Sequence, residues 1–292
     1  MGKLGGYLRL MRPLNCLMMG FAVIVGAVIS NQRFEDMSFS NLVSGFVTGF
    51  TLTAASMVIN DFYDKDIDAI NEPNRPIPSG LIKPEEALVF AFILTAIGFV
   101  AAFLTNTASA SASTLCFLTA IISWMVSVAY ATAGKRTGLL GNFLVSACVT
   151  IPFIYGSIAV TNTIELNVLI FASMAFLSNT GREITKGIVD VQGDKASSIQ
   201  TLAVRYGERT AAVAAALFYL SAVSLSPIPW LLNLVSPWFI PLVAVTDLGL
   251  ITSSLILLTD YSRENARKVK RIVLLWFIIG LLAFVLGALC WA

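Results

Sequence analysis

The chain alternates long apolar segments with short polar ones. Nine of the apolar segments reach about 20 residues, the length that a helix needs to cross a bilayer. They lie near residues 13–31, 40–59, 86–105, 111–131, 139–160, 166–182, 210–226, 236–259 and 271–291. The pattern predicts an all-α, polytopic membrane protein with nine transmembrane helices. We see no linker or low-complexity tract between the segments, so we expect one transmembrane domain over residues 1–292.

Composition supports a lipid environment. Of the residues, 57% are hydrophobic and only 12% are charged, whereas soluble domains carry about 25% charged residues. The sequence has no histidine, which removes the commonest general base and the commonest metal ligand. Haem, zinc–histidine and Ser-His-Asp sites are therefore disfavoured. The net charge of +2 gives no support to a nucleic-acid partner, and no obligate protein partner is evident.

The basic residues orient the chain across the membrane. Every Lys and Arg except Arg33 falls in the N-terminal tail or in the loops after the second, fourth, sixth and eighth segments. Such basic loops face the cytoplasm in membrane proteins. We therefore expect a multi-pass protein of the cell membrane whose N-terminus and polar loops are cytoplasmic. Its C-terminus would lie outside, which requires an odd number of spans and agrees with nine.

The first of two acidic loops covers residues 60–80, NDFYDKDIDAINEPNRPIPSG. Asn60, Asp64 and Asp68 are spaced four residues apart, so that they lie along one stripe if the helix of the second span continues. Asp61 and Asp66 lie off that stripe and are either solvated or support the others. The spacing predicts a row of oxygen ligands at the cytoplasmic end of this span.

The second acidic loop covers residues 182–207, REITKGIVDVQGDKASSIQTLAVRYG. Glu183, Asp190 and Asp194 again share one helical face. The Asp–x3–Asp pair follows the sixth span here and the second span in the first loop. This repetition predicts two equivalent halves, each of which delivers a carboxylate pair to a shared central cavity with helical cytoplasmic loops.

Several carboxylates around one cavity repel each other unless a cation separates them. Oxygen ligands without His or Cys favour Mg²⁺ or Ca²⁺, and Mg²⁺ commonly bridges carboxylates to the phosphates of a substrate. We therefore predict Mg²⁺ as cofactor, next to a diphosphate. The predicted metal ligands and catalytic residues are Asp64, Asp68, Asp190 and Asp194, with Asn60 as a further ligand. Basic residues that share this face could complete the site: Arg75, Lys83, Lys135, Arg136, Lys186 and Arg205.

Some polar residues have alternative explanations. Lys135 and Arg136 are either substrate contacts or anchors that set the topology. Tyr130 is either a site residue or a tyrosine of the membrane interface. Asp247 lies inside the eighth span, where an ionisable group is costly, and could mark an ion path or pair with a Ser, Thr or Asn of another helix.

Both loops resemble motifs of the UbiA-type intramembrane prenyltransferase superfamily. The first resembles its N-D-x-x-D-x-x-x-D motif followed by R-P, and the second its D-x-x-x-D motif. The segment YATAGKRTGLLGN, residues 130–142, is similar to its tyrosine–lysine loop after the fourth span. The resemblance covers the whole chain, and it implies that Asn60, Asp64 and Asp68 hold one Mg²⁺–diphosphate unit while Asp190 and Asp194 hold the other.

The resemblance also assigns substrate contacts. Arg75, Tyr130 and Lys135 would contact the diphosphate, and Glu183 stands where many members have Asp. One departure concerns Gly187, which occupies a place where archaeal members often have an Asp. The predicted substrate-binding residues are together Asn60, Arg75, Tyr130, Lys135, Arg136, Glu183 and Lys186.

The remaining candidate functions differ in the acceptor that receives the prenyl group. The run REITKGIVDVQGDK, with TLAVRYG after it, resembles archaeal digeranylgeranylglyceryl phosphate synthases. That resemblance implies transfer of a geranylgeranyl group from its diphosphate to the hydroxyl of geranylgeranylglyceryl phosphate, a lipid-like acceptor, to form an ether membrane lipid. The run DIDAINEPNRPIPSG also resembles chlorophyll synthases, so prenylation of a tetrapyrrole or aromatic acceptor is the alternative. A cation-coupled transporter is disfavoured because ionisable residues would then lie near the membrane midplane.

Overall fold

The computed structural model describes residues 2–31 and 37–289, apart from the side chain of Lys135. Arg33 lies outside these ranges. The described chain contains nine helices of 18 residues or more, as the sequence predicts. They are α2 (Pro13–Ser30), α3 (Phe39–Tyr63), α5 (Pro84–Leu104), α6 (Ala110–Thr132), α7 (Leu139–Thr161), α8 (Leu166–Val189), α11 (Glu208–Leu225), α13 (Phe239–Thr259) and α14 (Arg263–Leu289).

Eight of these nine helices are long and apolar enough to cross a membrane. The remaining one, α8, is polar in its C-terminal half, where the sequence runs SNTGREITK. The protein is therefore an all-α membrane protein. Short helices connect the long ones: α1 (Lys3–Met11), α4 (Lys65–Asn71), a 3₁₀ turn (Gly134–Thr137), α9 (Val191–Ala196), α10 (Leu202–Tyr206) and α12 (Ile228–Leu231).

Helix α1 is an element that the sequence analysis treated as an N-terminal tail. Its Leu10 is fully buried and packs in a cluster with Val58 and Ile82, while Leu4 and Leu8 are exposed. Arg12, in a left-handed conformation, separates α1 from α2. The turn brings the Arg12 side chain next to the end of α3, which matters for the site below.

Both acidic loops are built in the same way. Helix α3 ends before Asp64 and α8 ends before Asp190, and a short helix follows each of these residues. The i to i−4 hydrogen bonds nevertheless continue through both breaks: the Asp68 N–H donates to Asp64 O and the Asp194 N–H to Asp190 O. The acidic stripes are therefore kept although each helix is interrupted at its first Asp.

Helices α2 and α7 pack backbone against backbone. A Cβ atom on Gly26 would lie within 2.7 Å of the Phe153 backbone, and one on Gly156 would overlap the Val23 carbonyl oxygen. Small residues allow this close approach between membrane helices. The contact holds together one wall of the cavity described below.

We expect Gly156→Ala to destabilise the fold by about 1–3 kcal/mol, the usual cost of overpacking, because the added methyl group must push α2 and α7 apart. Thermal unfolding in detergent micelles measures the change. Gly280→Ala is the matched control, since its Cβ would lie 3.4 Å from its nearest neighbour, Thr246 Cγ2. Equal unfolding temperatures for the two variants would contradict this packing.

Candidate active site

The first acidic loop presents buried oxygens at the end of α3. Asp64 and Asp68 are only 3% and 4% exposed, and the Asn60 Nδ2 donates a hydrogen bond of 2.7 Å to Asp64 Oδ2. The Asn60 Oδ1 is buried and has no hydrogen-bond partner among the described residues. An unpaired buried oxygen is costly, so this atom is suited to an additional ligand such as a cation.

Two arginines neutralise the carboxylates of the first acidic loop. Arg12 forms an ion pair with Asp61, and Arg75 pairs with Asp68 and, at 3.4 Å, with Asp61. Although burial opposes the charged form of Arg75, Asp61 and Asp68 raise its pKa above the ordinary value, with a smaller contribution from Asp190. Asp61 is therefore a buried supporting residue, whereas Asp66 is exposed.

One side chain ties the two acidic loops together. The Asn71 Oδ1 accepts the backbone N–H of Gly193 at 3.1 Å, and its Nδ2 donates to the Asp190 carbonyl at 3.4 Å. Asn71 is 8% exposed, and α4 packs against α9 along this contact. The two Asp–x3–Asp pairs therefore lie at the same end of the helix bundle, as the sequence predicts.

The second acidic loop adds a buried charge cluster. Glu183, 8% exposed, accepts from Arg182 Nη1 and Lys186 Nζ, each at 3.3 Å. Asp194 is 4% exposed, and Asp190 is half-buried at the break between α8 and α9. Glu183 thus pairs with cations of its own helix.

A cavity of about 370 Å³ opens beneath these loops. Its polar end is lined by Asn60, Arg75, Tyr130, Glu183 and Lys186, all of them predicted site residues. Charged residues that the sequence analysis did not assign to the site also line it: Arg12, Arg182 and Lys270. Its walls are apolar and come from residues such as Met19, Leu52, Trp124 and Ile151.

Other predicted site residues do not line this cavity, and these include the four aspartates predicted as metal ligands, Asp64, Asp68, Asp190 and Asp194. Arg136 is exposed on the 3₁₀ turn and does not line the cavity, and Lys83 and Arg205 are exposed as well. The side chain of Lys135 lies outside the described part of the structure. The site residues thus come mainly from the two acidic loops and from the ends of α3, α6 and α8.

Asn71 was missed by the sequence analysis although it had a local signal. It follows Asp68 by three residues and extends the same helical stripe. Arg12 and Lys270 reach the cavity from opposite ends of the chain, so no spacing within a motif could have found them.

The donor set is chemically suited to Mg²⁺. The carboxylates of Asp64, Asp68, Asp190 and Asp194 and the unpaired Oδ1 of Asn60 are hard oxygen ligands of the kind that Mg²⁺ takes. Among the described residues, no three acidic or Cys side chains are close enough to form a ready-made metal cluster. Mg²⁺ commonly uses one or two carboxylates together with substrate phosphates, which fits carboxylates spread over two loops.

The arrangement fits an amphiphile with an anionic head and a long apolar tail. The head would meet carboxylates, cations and Tyr130 at the polar end, and the tail would lie between helices in a compartment from which water is largely excluded.

Comparisons with known proteins find similar sequences and structures over nearly the whole chain. A relative from Archaeoglobus fulgidus, a digeranylgeranylglyceryl phosphate synthase, is 38% identical over 285 residues, which cover 96% of this chain and 94% of the relative. A solved structure concerned with digeranylgeranylglyceryl phosphate synthase is 33% identical, covers 99% of both chains and has a TM-score of 0.72. A UbiA homolog from Archaeoglobus fulgidus, solved with GPP and Mg²⁺, shares the fold with a TM-score of 0.65 at 19% identity, over 96% of this chain and 99% of that one.

The family comparison covers most of the described helices. The UbiA prenyltransferase family matches residues 19–279, a range that includes both acidic loops and most of the residues that line the cavity. The expectation that the motifs raised is thereby confirmed for the family and for the class of enzyme. The chain belongs to the UbiA prenyltransferase family.

Proposed function

We propose that the protein transfers a geranylgeranyl group from geranylgeranyl diphosphate to the hydroxyl of geranylgeranylglyceryl phosphate, forming an ether membrane lipid. The observation that carries the proposal is the cavity, whose polar end is lined by Asn60, Arg75, Tyr130 and Lys186 beside the two acidic loops and whose interior is apolar. The names of the relatives support this acceptor.

The two acidic loops would hold the donor diphosphate through Mg²⁺. Asn60, Asp64 and Asp68 supply the oxygens on one side, and Asp190 and Asp194 supply those on the other. When bound, Mg²⁺ supplies Lewis-acid stabilisation of the leaving diphosphate. The Asn71 bridge keeps the two sets of ligands in register, because both loops must meet the same diphosphate.

The remaining charged residues would act on the leaving group. Arg75 and Lys186 line the polar end of the cavity and stabilise the negative charge that develops on the diphosphate as its bond to the allylic carbon breaks. Tyr130 lies at the same end and can donate a hydrogen bond. From the 3₁₀ turn we assign Lys135 to the diphosphate, whereas Arg136 is exposed and does not line the cavity.

The apolar walls would protect the allylic cation from water. The hydroxyl oxygen of the acceptor then captures the cation, and its proton is released. Because the cation is a strong electrophile, the alcohol needs no strong base, which is compatible with a chain that has no histidine.

We also propose that both acidic loops and the N-terminus face the cytoplasm, with the C-terminus outside. The distribution of Lys and Arg supports this orientation. Both substrates would then reach the cavity from the cytoplasmic leaflet.

A product assay tests the proposed function. Purified protein receives Mg²⁺ and geranylgeranyl diphosphate together with either geranylgeranylglyceryl phosphate or 4-hydroxybenzoate, and lipid products are identified by mass spectrometry. We expect ether product from the glyceryl phosphate alone. We also expect EDTA to abolish transfer and added Mg²⁺ to restore it, because the carboxylates repel the diphosphate when no cation separates them.

The possible outcomes test the identity of the acceptor and the need for a metal separately. Product from the aromatic acid alone would contradict the proposed acceptor but leave prenyl transfer in place. Full activity in EDTA would contradict the metal role of the acidic loops. Heat-denatured protein is the control for uncatalysed reaction of the diphosphate.

A further inference from the structure

A second, smaller chamber adjoins the cavity. Its volume is about 150 Å³, and it lies among helices α2, α3, α7, α8, α11, α13 and α14. Its walls are almost entirely apolar and include Met18, Met174, Leu281 and Phe284. We call it the minor chamber and the cavity of about 370 Å³ the major chamber.

The two chambers share a boundary that begins at the polar end of the site and continues along α3 and α7, where Thr53, Val145 and Val149 line both of them. Arg182 and Glu183 line both of them, together with Met19, Met57 and Leu274. Asn60, Arg75, Tyr130, Lys186 and Lys270 line the major chamber but not the minor one. Four of the residues assigned to the donor diphosphate, Asn60, Arg75, Tyr130 and Lys186, thus open onto the major chamber. We therefore assign the major chamber to the isoprenyl chain of the donor.

Both chambers are deep enough for a lipid chain. The minor chamber is lined from Leu274 to Phe284 along α14, which corresponds to about 15 Å at the rise of an α-helix. The major chamber is lined from Thr48 to Asn60 along α3, or about 18 Å. One leaflet of a bilayer has a hydrocarbon thickness of about 15 Å, so each chamber matches the depth at which a membrane lipid keeps its chain.

Arg182 is a cation at the mouth of the minor chamber with unused hydrogen-bonding capacity. Its Nη1 donates to Glu183 at 3.3 Å, but its Nε is buried and has no partner among the described residues. A guanidinium offers several N–H donors in a fixed plane that suits phosphate. The orphaned Nε therefore indicates an anionic ligand at the junction.

Asp247 is an acidic residue of the minor chamber that already has a hydrogen-bond partner. It lies in the wall of the minor chamber and accepts a hydrogen bond of 2.5 Å from Ser226 Oγ, just beyond α11. This pairing with a Ser from outside its own helix is one of the two explanations that the sequence left open.

We propose that the minor chamber binds the isoprenyl chain of the acceptor and that Arg182, at its mouth, binds the acceptor phosphate. The inference rests on the proposed function, in which both substrates carry a long isoprenyl chain. The shared polar end would bring the acceptor hydroxyl next to the allylic carbon of the donor. The two tails would then diverge, because Leu281 and Phe284 line only the minor chamber while Trp124 and Ile151 line only the major one.

Chamber-filling variants test the assignment of the chains. Gly280→Leu narrows the minor chamber and Ser123→Leu narrows the major one, since each residue lines only that chamber. For Gly280→Leu we expect the KM of geranylgeranylglyceryl phosphate to rise about ten-fold and the donor KM to stay unchanged. With geranylglyceryl phosphate, whose chain is half as long, the variant should match the wild type. For Ser123→Leu we expect the reverse: the KM of geranylgeranyl diphosphate rises, the KM of geranylgeranylglyceryl phosphate stays unchanged, and the shorter geranyl diphosphate is used as by the wild type.

An Arg182 variant tests the phosphate contact. Relative to wild type, Arg182→Gln should lower kcat/KM for geranylgeranylglyceryl phosphate by about ten- to a hundred-fold, as expected for a lost hydrogen bond to a charged group. With geranylgeranylglycerol, which has no phosphate, the variant and the wild type should react equally. A purely structural role of Arg182 would impair both acceptors alike, and that result would overturn the assignment.

The controls separate this inference from the proposed function. Leu248→Ala should retain wild-type KM values, because Leu248 lies on α13 but is 64% exposed and lines neither chamber. If the wild type makes ether product but Gly280→Leu raises the donor KM, or neither KM, the chamber assignment is wrong while the function stands. If the wild type does not use the glyceryl phosphate, both proposals fail.

Discussion

Gly193→Ala is expected to slow prenyl transfer by about a hundred-fold, the usual cost of displacing catalytic groups by about 1 Å. Gly193 is the point at which the two acidic loops touch. A Cβ atom there would lie within 2.7 Å of the amide atoms of Asn71, so the methyl group would break the bridge and separate the two sets of proposed metal ligands.

Gly187→Ala provides the matched control. It lies in α8 near the same loop, and its Cβ would have no neighbour closer than 3.6 Å. Initial rates at saturating substrates, measured over a range of Mg²⁺ concentrations, compare the two variants. We expect Gly193→Ala to need more Mg²⁺ and Gly187→Ala to behave as wild type. Equal rates for both would mean that the loops need not be held together.

Asp64→Asn is expected to reduce the transfer rate by about a thousand-fold, the upper range for removing one group that stabilises the transition state electrostatically. The amide keeps the size of the side chain but removes a negative charge next to the unpaired Asn60 Oδ1. The proposed site would then bind Mg²⁺–diphosphate more weakly and in a position that is less favourable for the reaction.

Asp66→Asn is the control for that loss, because Asp66 belongs to the same loop but is exposed. Calorimetric titration of each variant with Mg²⁺ and a non-hydrolysable diphosphate analogue would show whether binding falls together with rate. Loss of activity in both variants, or in neither, would remove Asp64 from the proposed set of ligands.

The sequence by itself determined the number and approximate position of the long helices. Spans in lipid need long apolar runs because every backbone polar group must be paired within the helix, so hydropathy alone finds them. The acidic stripes were likewise predictable, since residues four apart lie on one face. The stripe also survives the breaks at Asp64 and Asp190, because the hydrogen bonds continue through them.

Helix ends were less predictable. The sixth span was placed at 166–182 and the ninth at 271–291, whereas α8 continues to Val189 and α14 begins at Arg263. A span predicted from hydropathy ends at the first charged residue. In α8 these charged residues pair with one another, as Lys186 does with Glu183. Pairing makes the polar turns compatible with a buried helix.

Only the tertiary structure decided which distant residues meet. Arg12 reaches Asp61 across the turn after α1, Asn71 joins α4 to α9, and Lys270 lines the cavity from α14. The two chambers of the interior also depend on how the long helices pack against one another. Local sequence patterns record periodicity along one helix, whereas these contacts depend on packing between helices that are far apart in the chain.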